Sequence, residues 1–502
     1  MNDAISLTAS VFQTFLATPL GAVLTRHHDR SPETGPLELF RSVAAEVPAY
    51  GDFLARHGIE PEQVRDFADF QKLPLVTKQN YMRAYPLPTL CRDGRLENCE
   101  MIAVSSGSTG KPMLWPRSLR HELDIATRFE QVFKDGFDAA NRSTLAVVCF
   151  ALGTWVGGMY TANCCRYLAQ KGYPITLVTP GNNKSEIFRI VEELGPQFDQ
   201  VALAGYPPFI KDVIDSGMAQ GVDWPKYSAK LIFAGEVFSE EWRSLVCERI
   251  GASDPCHATA SLYGTADAGV LGNETPLSIA LRRFFARNPD AARALFGESR
   301  LPTLVQYDPL SRFFEVHDGT LVVTGDSGVP LVRYHIADKG GIVSYDDMLA
   351  FVIAQGGEPL AELHNRDPGA TYRLPFAYLF GRADFTASYY GANIYPENVT
   401  VGLEQPGIKD WVSGKFVLEI KEQADRNKAL GVTVELLPNI TGTNEMRDAI
   451  AASIHQQLLR LNSEFAHYVP AEHQRPEVTL LPAGDPDYFP LGVKHRYTRK
   501  PS

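Results

Sequence analysis

At 502 residues the chain is longer than one average domain, and 44% apolar with 21% charged residues is the balance of an ordinary soluble globular protein. A net charge of −11 excludes a broad basic surface, so no nucleic-acid partner is expected, and an anionic ligand must be held by local donors. Seven thinly scattered cysteines, an odd number, fit a reducing compartment and predict a cytoplasmic protein.

Residues 5–25 carry no charge, but they lack a basic leader and are interrupted by Gln13, threonines and Pro19. They predict an N-terminal helix ending near Pro19 rather than a signal or membrane segment. Residues 35–90 read as charged helices with proline breaks. The stretch 104–118, VSSGSTGKPMLWPRS, is of another kind. Gly107 and Gly110 let backbone N–H groups approach an oxyanion, Ser106, Ser108 and Thr109 add donors, and Lys111 supplies a point charge. That set suits the phosphates of a nucleotide. It is not a Walker A loop, because Ser105 and Pro112 stand where a glycine and a Ser or Thr are required. Pro112 predicts that a strand or turn follows. Ser108-x-x-Lys111 also matches the S-x-x-K of serine acyl-enzymes, but their K-T-G occurs nowhere in the chain.

Residues 121–137 have helical spacing, and 143–152, 173–180, 200–210 and 229–238 are short apolar strand candidates. Helical stretches at 184–194 and 240–251 separate them, which predicts α/β layers with largely parallel sheets. Residues 275–300 read as a helical insert, and 313–328 as a hairpin around Asp318-Gly319. Residues 329–345 continue with alternating character. Cys247, Cys256 and His257 lack paired metal-ligand spacing and are expected to be buried instead. A new α+β unit starts near Gly381, with strands at 415–423, 429–438 and 476–482 and a helix at 446–465. The expected organisation is therefore α/β: a large N-terminal domain of layered sheets and helices, 1–380, and a small C-terminal domain, 381–502.

Four pieces then fall in one order: Ser106-Gly107-Ser108-Thr109-Gly110-Lys111-Pro112, Tyr263-Gly264-x-x-Asp267, Arg333-Tyr334-x-x-x-Asp338 and Gly381-Arg382-x-Asp384. With them the chain resembles the adenylate-forming superfamily of acyl-CoA synthetases, adenylation domains and luciferases, and within it the phenylacetate–CoA ligase branch. The resemblance runs from about residue 100 to the end. It implies that a carboxylic acid attacks ATP to give an acyl-adenylate and pyrophosphate, and that the acyl group then passes to an acceptor.

The implied roles go residue by residue. Ser106 to Lys111 would hold the outer phosphates. Tyr263 would lie against adenine, with Gly264 and Thr265 in the same turn, and Gly235-Glu236 would border that pocket. Asp267 would bind Mg²⁺, Asp338 would accept the ribose hydroxyls and Arg382 would help orient them. Asp384 would be the hinge of a mobile small domain, and Lys494 would reach the reacting carboxylate and α-phosphate, with Lys500 the competing lysine. Tyr206 and Ala234 would line the pocket of a flat, apolar acid, most simply an aryl or arylacetic acid. CoA is the simplest acceptor; an amine or a carrier-protein thiol would also serve. Ala266 stands where the family has a hydroxyl, and Asp267 shortens its glutamate. Two rivals stay open: a serine amidase or acyl-enzyme hydrolase using Ser106 or Ser108 with Lys111, and a non-catalytic nucleotide binder. The oligomeric state is not legible.

Overall fold

The computed structural model describes residues 2–104, 113–154, 156–298, 301–363, 372–382, 387–390, 392–422, 428–462, 465–466, 469–490, 495 and 497–499. Short strands β1 (Met101–Val104) and β2 (Leu114–Arg117) pair antiparallel, so a strand does follow Pro112. Next come β3 (Thr144–Val148), β4 (Ile175–Val178), β5 (Gln200–Gly205), β6 (Lys230–Ala234), β7 (Thr259–Thr265), β8 (Gly269–Asn273) and β9 (Thr303–Gln306). They are followed by β10 (Phe313–His317), β11 (Thr320–Gly325), β12 (Leu331–Val343) and β13 (Phe376–Arg382). From β3 onward they build one 11-stranded sheet in the order β10-β11-β12-β13-β9-β8-β7-β6-β5-β3-β4.

β3 and β5 are buried along their whole length, as strands covered on both faces must be. Leu145, Val147, Val201 and Leu203 face one core with the helices Lys184–Leu194, Pro207–Ala219 and Glu240–Arg249. Their neighbours Ala146, Val148, Ala202 and Ala204 face another, built on the helices Leu119–Gln131 and Val156–Gln170. Period-two alternation thus assigns each residue to a layer. The helix Glu240–Arg249 starts where Ser239 accepts a hydrogen bond from the Trp242 amide at 3.0 Å.

Two expectations change. The sheet is parallel across β4, β3, β5, β6 and β7 and antiparallel from β7 through to β10. β7 and β8 are joined by a tight turn too short for a crossover helix, so the second must run back along the first. The strand expected over 200–210 stops at Gly205, and Pro207 opens a helix, its missing N–H costing nothing in the first turn. The hairpin at 313–328 forms as expected, with Asp318 and Gly319 both at positive φ. The insert is the helices Pro276–Arg287 and Pro289–Phe296. Cys247 and Cys256 are buried free thiols.

Beyond β13, the small pair β14 (Ala387–Tyr389) and β15 (Ala392–Ile394) leads into a separate core. There β16 (Val412–Glu422), β17 (Lys428–Leu436), β18 (Glu477–Leu481) and β19 (Thr498–Arg499) form a four-stranded sheet in the order β18-β17-β16-β19. The helices Pro396–Leu403 and Asn444–Leu461 complete it. No described helix is long and apolar enough to cross a membrane.

Candidate functional site

Parallel strands release their chains at one edge, and the ends of β5, β6 and β7 open there on a cavity of about 580 Å³. β5 delivers Tyr206, β6 delivers Ala234, Gly235 and Glu236, and β7 delivers Tyr263, Gly264 and Thr265, all of which line it. Gly235 adopts φ +84°, a turn that a side chain would strain. Asp267 and Asp338 face the same space.

Tyr263 lies within β7 rather than on the turn after it. Its ring stacks near Phe314, with centroids 6.5 Å apart, and its hydroxyl donates to Asp338 Oδ2 at 2.8 Å. Both residues are largely buried, so the carboxylate has a fixed partner. Asp338 stands opposite Arg382 in the β12–β13 register; for Arg382 the backbone alone is described. Gly264 packs so close to β8 that a Cβ would sit 2.6 Å from the carbonyl oxygen of Gly269. Thr265 Oγ1 is occupied by the turn itself, accepting from the Ala268 amide at 3.1 Å.

Asp267 is buried, and its Oδ2 meets both the Tyr334 hydroxyl and, at 3.2 Å, Lys78 Nζ. Arg117, itself buried, donates to the carbonyls of Ala266 and, at 3.2 Å, Asp267. His121 closes the turn. Burial, helped by Arg312 and Arg117, lowers its pKa well below the ordinary imidazole value, so the ring is neutral. A tautomer with Nε2–H donates to the Ala268 carbonyl at 3.3 Å and accepts from the Tyr160 hydroxyl at Nδ1, 3.4 Å away. Arg333 turns from the cavity: it pairs with Glu315 at 3.1 Å and donates to the carbonyls of Gln71 and Leu73. It thereby ties to the sheet the segment that carries Lys78.

At the other end of the cavity Tyr206 meets Phe150 edge-on at 5.0 Å, beside Phe129, Tyr160 and Ala234. Glu236 accepts a hydrogen bond from the Tyr497 hydroxyl at 2.7 Å, which links this edge of the cavity to the segment that leads into β19.

No protein-family model matches the chain. Two phenylacetate–coenzyme A ligases match it over 424 residues, one from Aromatoleum evansii at 20% identity and one from Escherichia coli K12 at 21%. Each alignment covers 82% of this chain and 83% of the relative. Among solved structures, a 2-hydroxyisobutyryl-CoA ligase in the postadenylation state superposes with a TM-score of 0.66 at 15% identity, over 93% of this chain and 89% of the other. The same ligase in its thioesterification state gives 0.53. The fold is that of the adenylate-forming enzymes. In sequence the chain is similar to phenylacetate–CoA ligases.

Of the adenylate-forming motifs, the glycine–serine loop residues Ser106, Gly107, Ser108, Thr109, Gly110 and Lys111 lie outside the described residues, as do Asp384, Lys494 and Lys500. Tyr206, Ala234, Gly235, Glu236, Tyr263, Gly264, Thr265, Asp267 and Asp338 line the cavity, and Arg382 is placed only by its backbone, opposite Asp338. Lys78 and Tyr497 also line it, and Arg117 and Tyr334 hold the Ala266–Asp267 turn from behind; none of the four was given a role from the sequence. Tyr334 was legible in principle, since it sits inside the Arg333–Asp338 motif. The other three carry no local signal, because each meets its partner across the fold.

Proposed function

We propose that this chain is an ATP-dependent, AMP-forming ligase that activates an aryl or arylacetic acid as its acyl-adenylate and passes the acyl group to CoA. The observation that carries the reading is the Tyr263–Asp338 pair at the mouth of the parallel strands. A carboxylate that lines the cavity and accepts from a tyrosine is the kind of acceptor that ribose hydroxyls need, and the ring beside it offers adenine a flat apolar face. The reaction brings one anion onto another, so its main demand is for positive charge and N–H donors around the phosphates. Lys78 would supply part of that, together with the glycine–serine loop residues Ser106 to Lys111 and Arg382, with Lys494 acting at the reacting carboxylate.

Asp267 fits the Mg²⁺ that accompanies ATP. Its carboxylate lines the cavity, and the described residues hold no cluster of three acidic, His or Cys side chains that could hold a metal by themselves. Mg²⁺ bound with nucleotide keeps water and phosphate oxygens and needs only one or two protein carboxylates. Its contribution there is neutralisation of phosphate charge. Phe150, Tyr206 and Tyr160 around small Ala234 favour a flat acid of low polarity. The division at residues 380 and 381 and a hinge at Asp384 belong to the same proposal, supported by the separate core of the C-terminal part. A cytoplasmic location agrees with seven free cysteines.

The test is exchange of labelled pyrophosphate into ATP, driven by each of a panel of aryl, arylacetic and fatty acids, then repeated with CoA to look for thioester. Exchange with aryl acids and thioester with CoA is the expected result; no acid-dependent exchange across the panel would refute the reading.

A further inference from the structure

Among the described residues, three polar links join the segment 206–239 of the large unit to the C-terminal unit. Ser239 Oγ donates to Glu404 Oε2 at 2.6 Å, and Lys211 Nζ reaches the carbonyls of Ser413 at 3.3 Å and Val412 at 3.5 Å. The third differs in where it lands. Tyr497 donates to Glu236, and Glu236 follows directly on the Gly235 turn at the edge of the cavity.

Tyr497 is well placed to hold a position. Its ring packs on Phe416 at 5.1 Å and on His495 at 4.6 Å, and its carbonyl accepts from the Leu418 amide at 2.7 Å. The next two residues pair with β16 as strand β19. Burial and the neighbouring Glu236 raise the phenol's pKa well above its ordinary value, so the hydroxyl stays a donor at every physiological pH.

We infer that Tyr497 is a positioning residue for adenylation: its hydrogen bond to Glu236 registers the C-terminal unit against the nucleotide edge in the arrangement that activates the acid. The inference rests on the ligase reading above and deepens it. A contact made in one arrangement of two units biases the equilibrium toward that arrangement by its own free energy. A hydrogen bond to a carboxylate is worth a factor of about ten or more. Acyl transfer, which starts from finished adenylate, does not draw on it.

The experiment uses the full chain and Tyr497→Phe, which removes the hydroxyl and keeps the ring on Phe416. Acid-dependent pyrophosphate exchange should fall about tenfold, in kcat more than in KM for ATP, while thioester formation from supplied acyl-adenylate stays within about twofold. A second readout needs no turnover. Spin labels on Glu193→Cys and Glu445→Cys, with half-buried Cys99 changed to Ser, report the distance between the units. That distribution should broaden in Tyr497→Phe. An unchanged distribution, unchanged exchange, or an equal fall in both half-reactions overturns the inference. Absence of exchange in the unaltered chain sinks the ligase reading instead, and the distance measurement then decides the clasp by itself.

Discussion

Tyr263 and Asp338 are 75 positions apart in sequence and 2.8 Å apart in space, and each is what the other needs. The phenol gives a buried carboxylate its donor; the carboxylate fixes the ring in one plane. If the proposed role holds, Asp338→Ala removes an acceptor for the ribose hydroxyls and raises the KM for ATP in the exchange assay by about 10–100-fold, as for loss of charge-assisted hydrogen bonds. Tyr263→Phe keeps the ring but strips the carboxylate of a donor. It should cost about 1–3 kcal/mol of stability, read as a lower Tm, with a smaller effect on KM. Arg128 is the opposite case. It is 3% exposed, and none of its guanidinium nitrogens finds a hydrogen-bond acceptor. The nearest carboxylates already serve others, Asp308 pairing with Arg26 at 2.7 Å and Asp124 with Arg312 at 2.6 Å. Burial lowers its pKa accordingly. Arg128→Met keeps most of the volume and drops the stranded charge, so it should stabilise the chain by about 1–4 kcal/mol in denaturant unfolding. A loss of stability would show that the charge is compensated after all. Asp338 was legible in sequence because its motif is local. The Lys78–Asp267 pair was not, because an ion pair between distant segments leaves no spacing to read.

At the level of elements, the turn between β7 and β8 concentrates the constraints of the site. Thr265 caps it from within, Arg117 holds its carbonyls and His121 closes it from the helix Leu119–Gln131. Gly264 lets the two strands meet. Because the atom a Cβ would strike is backbone, at 2.6 Å, no rotamer change relieves the contact in Gly264→Ala. The strands must part, at a cost of about 1–3 kcal/mol, and Asp267 moves with them. We expect a lower Tm together with loss of ATP-dependent protection in a thermal-shift titration; lower stability with intact protection would separate the turn from nucleotide binding. The alternation of strands and helices was legible because buried parallel strands are short, apolar runs. Of the antiparallel half, the β10–β11 hairpin was legible at Asp318-Gly319, but the reversal at β7–β8 was not, since it follows from how few residues join those strands. Residues 207–210 were mistaken for strand because an apolar run reads alike in a buried strand and in a helix's first turn, and only Pro207 marked the difference.

Across the whole molecule, the seam between the large unit and the C-terminal unit contains a carboxyl group held in an uncommon state. Glu404 is partly exposed as a residue, but its Oε1 is closed off without a partner while Oε2 accepts from Ser239 at 2.6 Å. Burial raises its pKa to about 8, against the weaker pull of Ser239 and of Lys211, and Glu241 adds to the rise. Tyr497 is the other titratable group that feels it. The sign follows from proton counting. Between the ordinary glutamate value and about 8, the docked state holds a proton that Glu404 releases once the seam opens to water, so docking weakens as pH rises through that window. The stabilisation is complete below the ordinary value and gone above about 8. Glu404→Gln mimics the protonated form and keeps an acceptor for Ser239. In the unaltered chain the spin-label distance between the units should therefore broaden from pH 6 to pH 9, whereas in Glu404→Gln it should stay narrow throughout. Equal broadening in both would assign the pH response to another group at the seam.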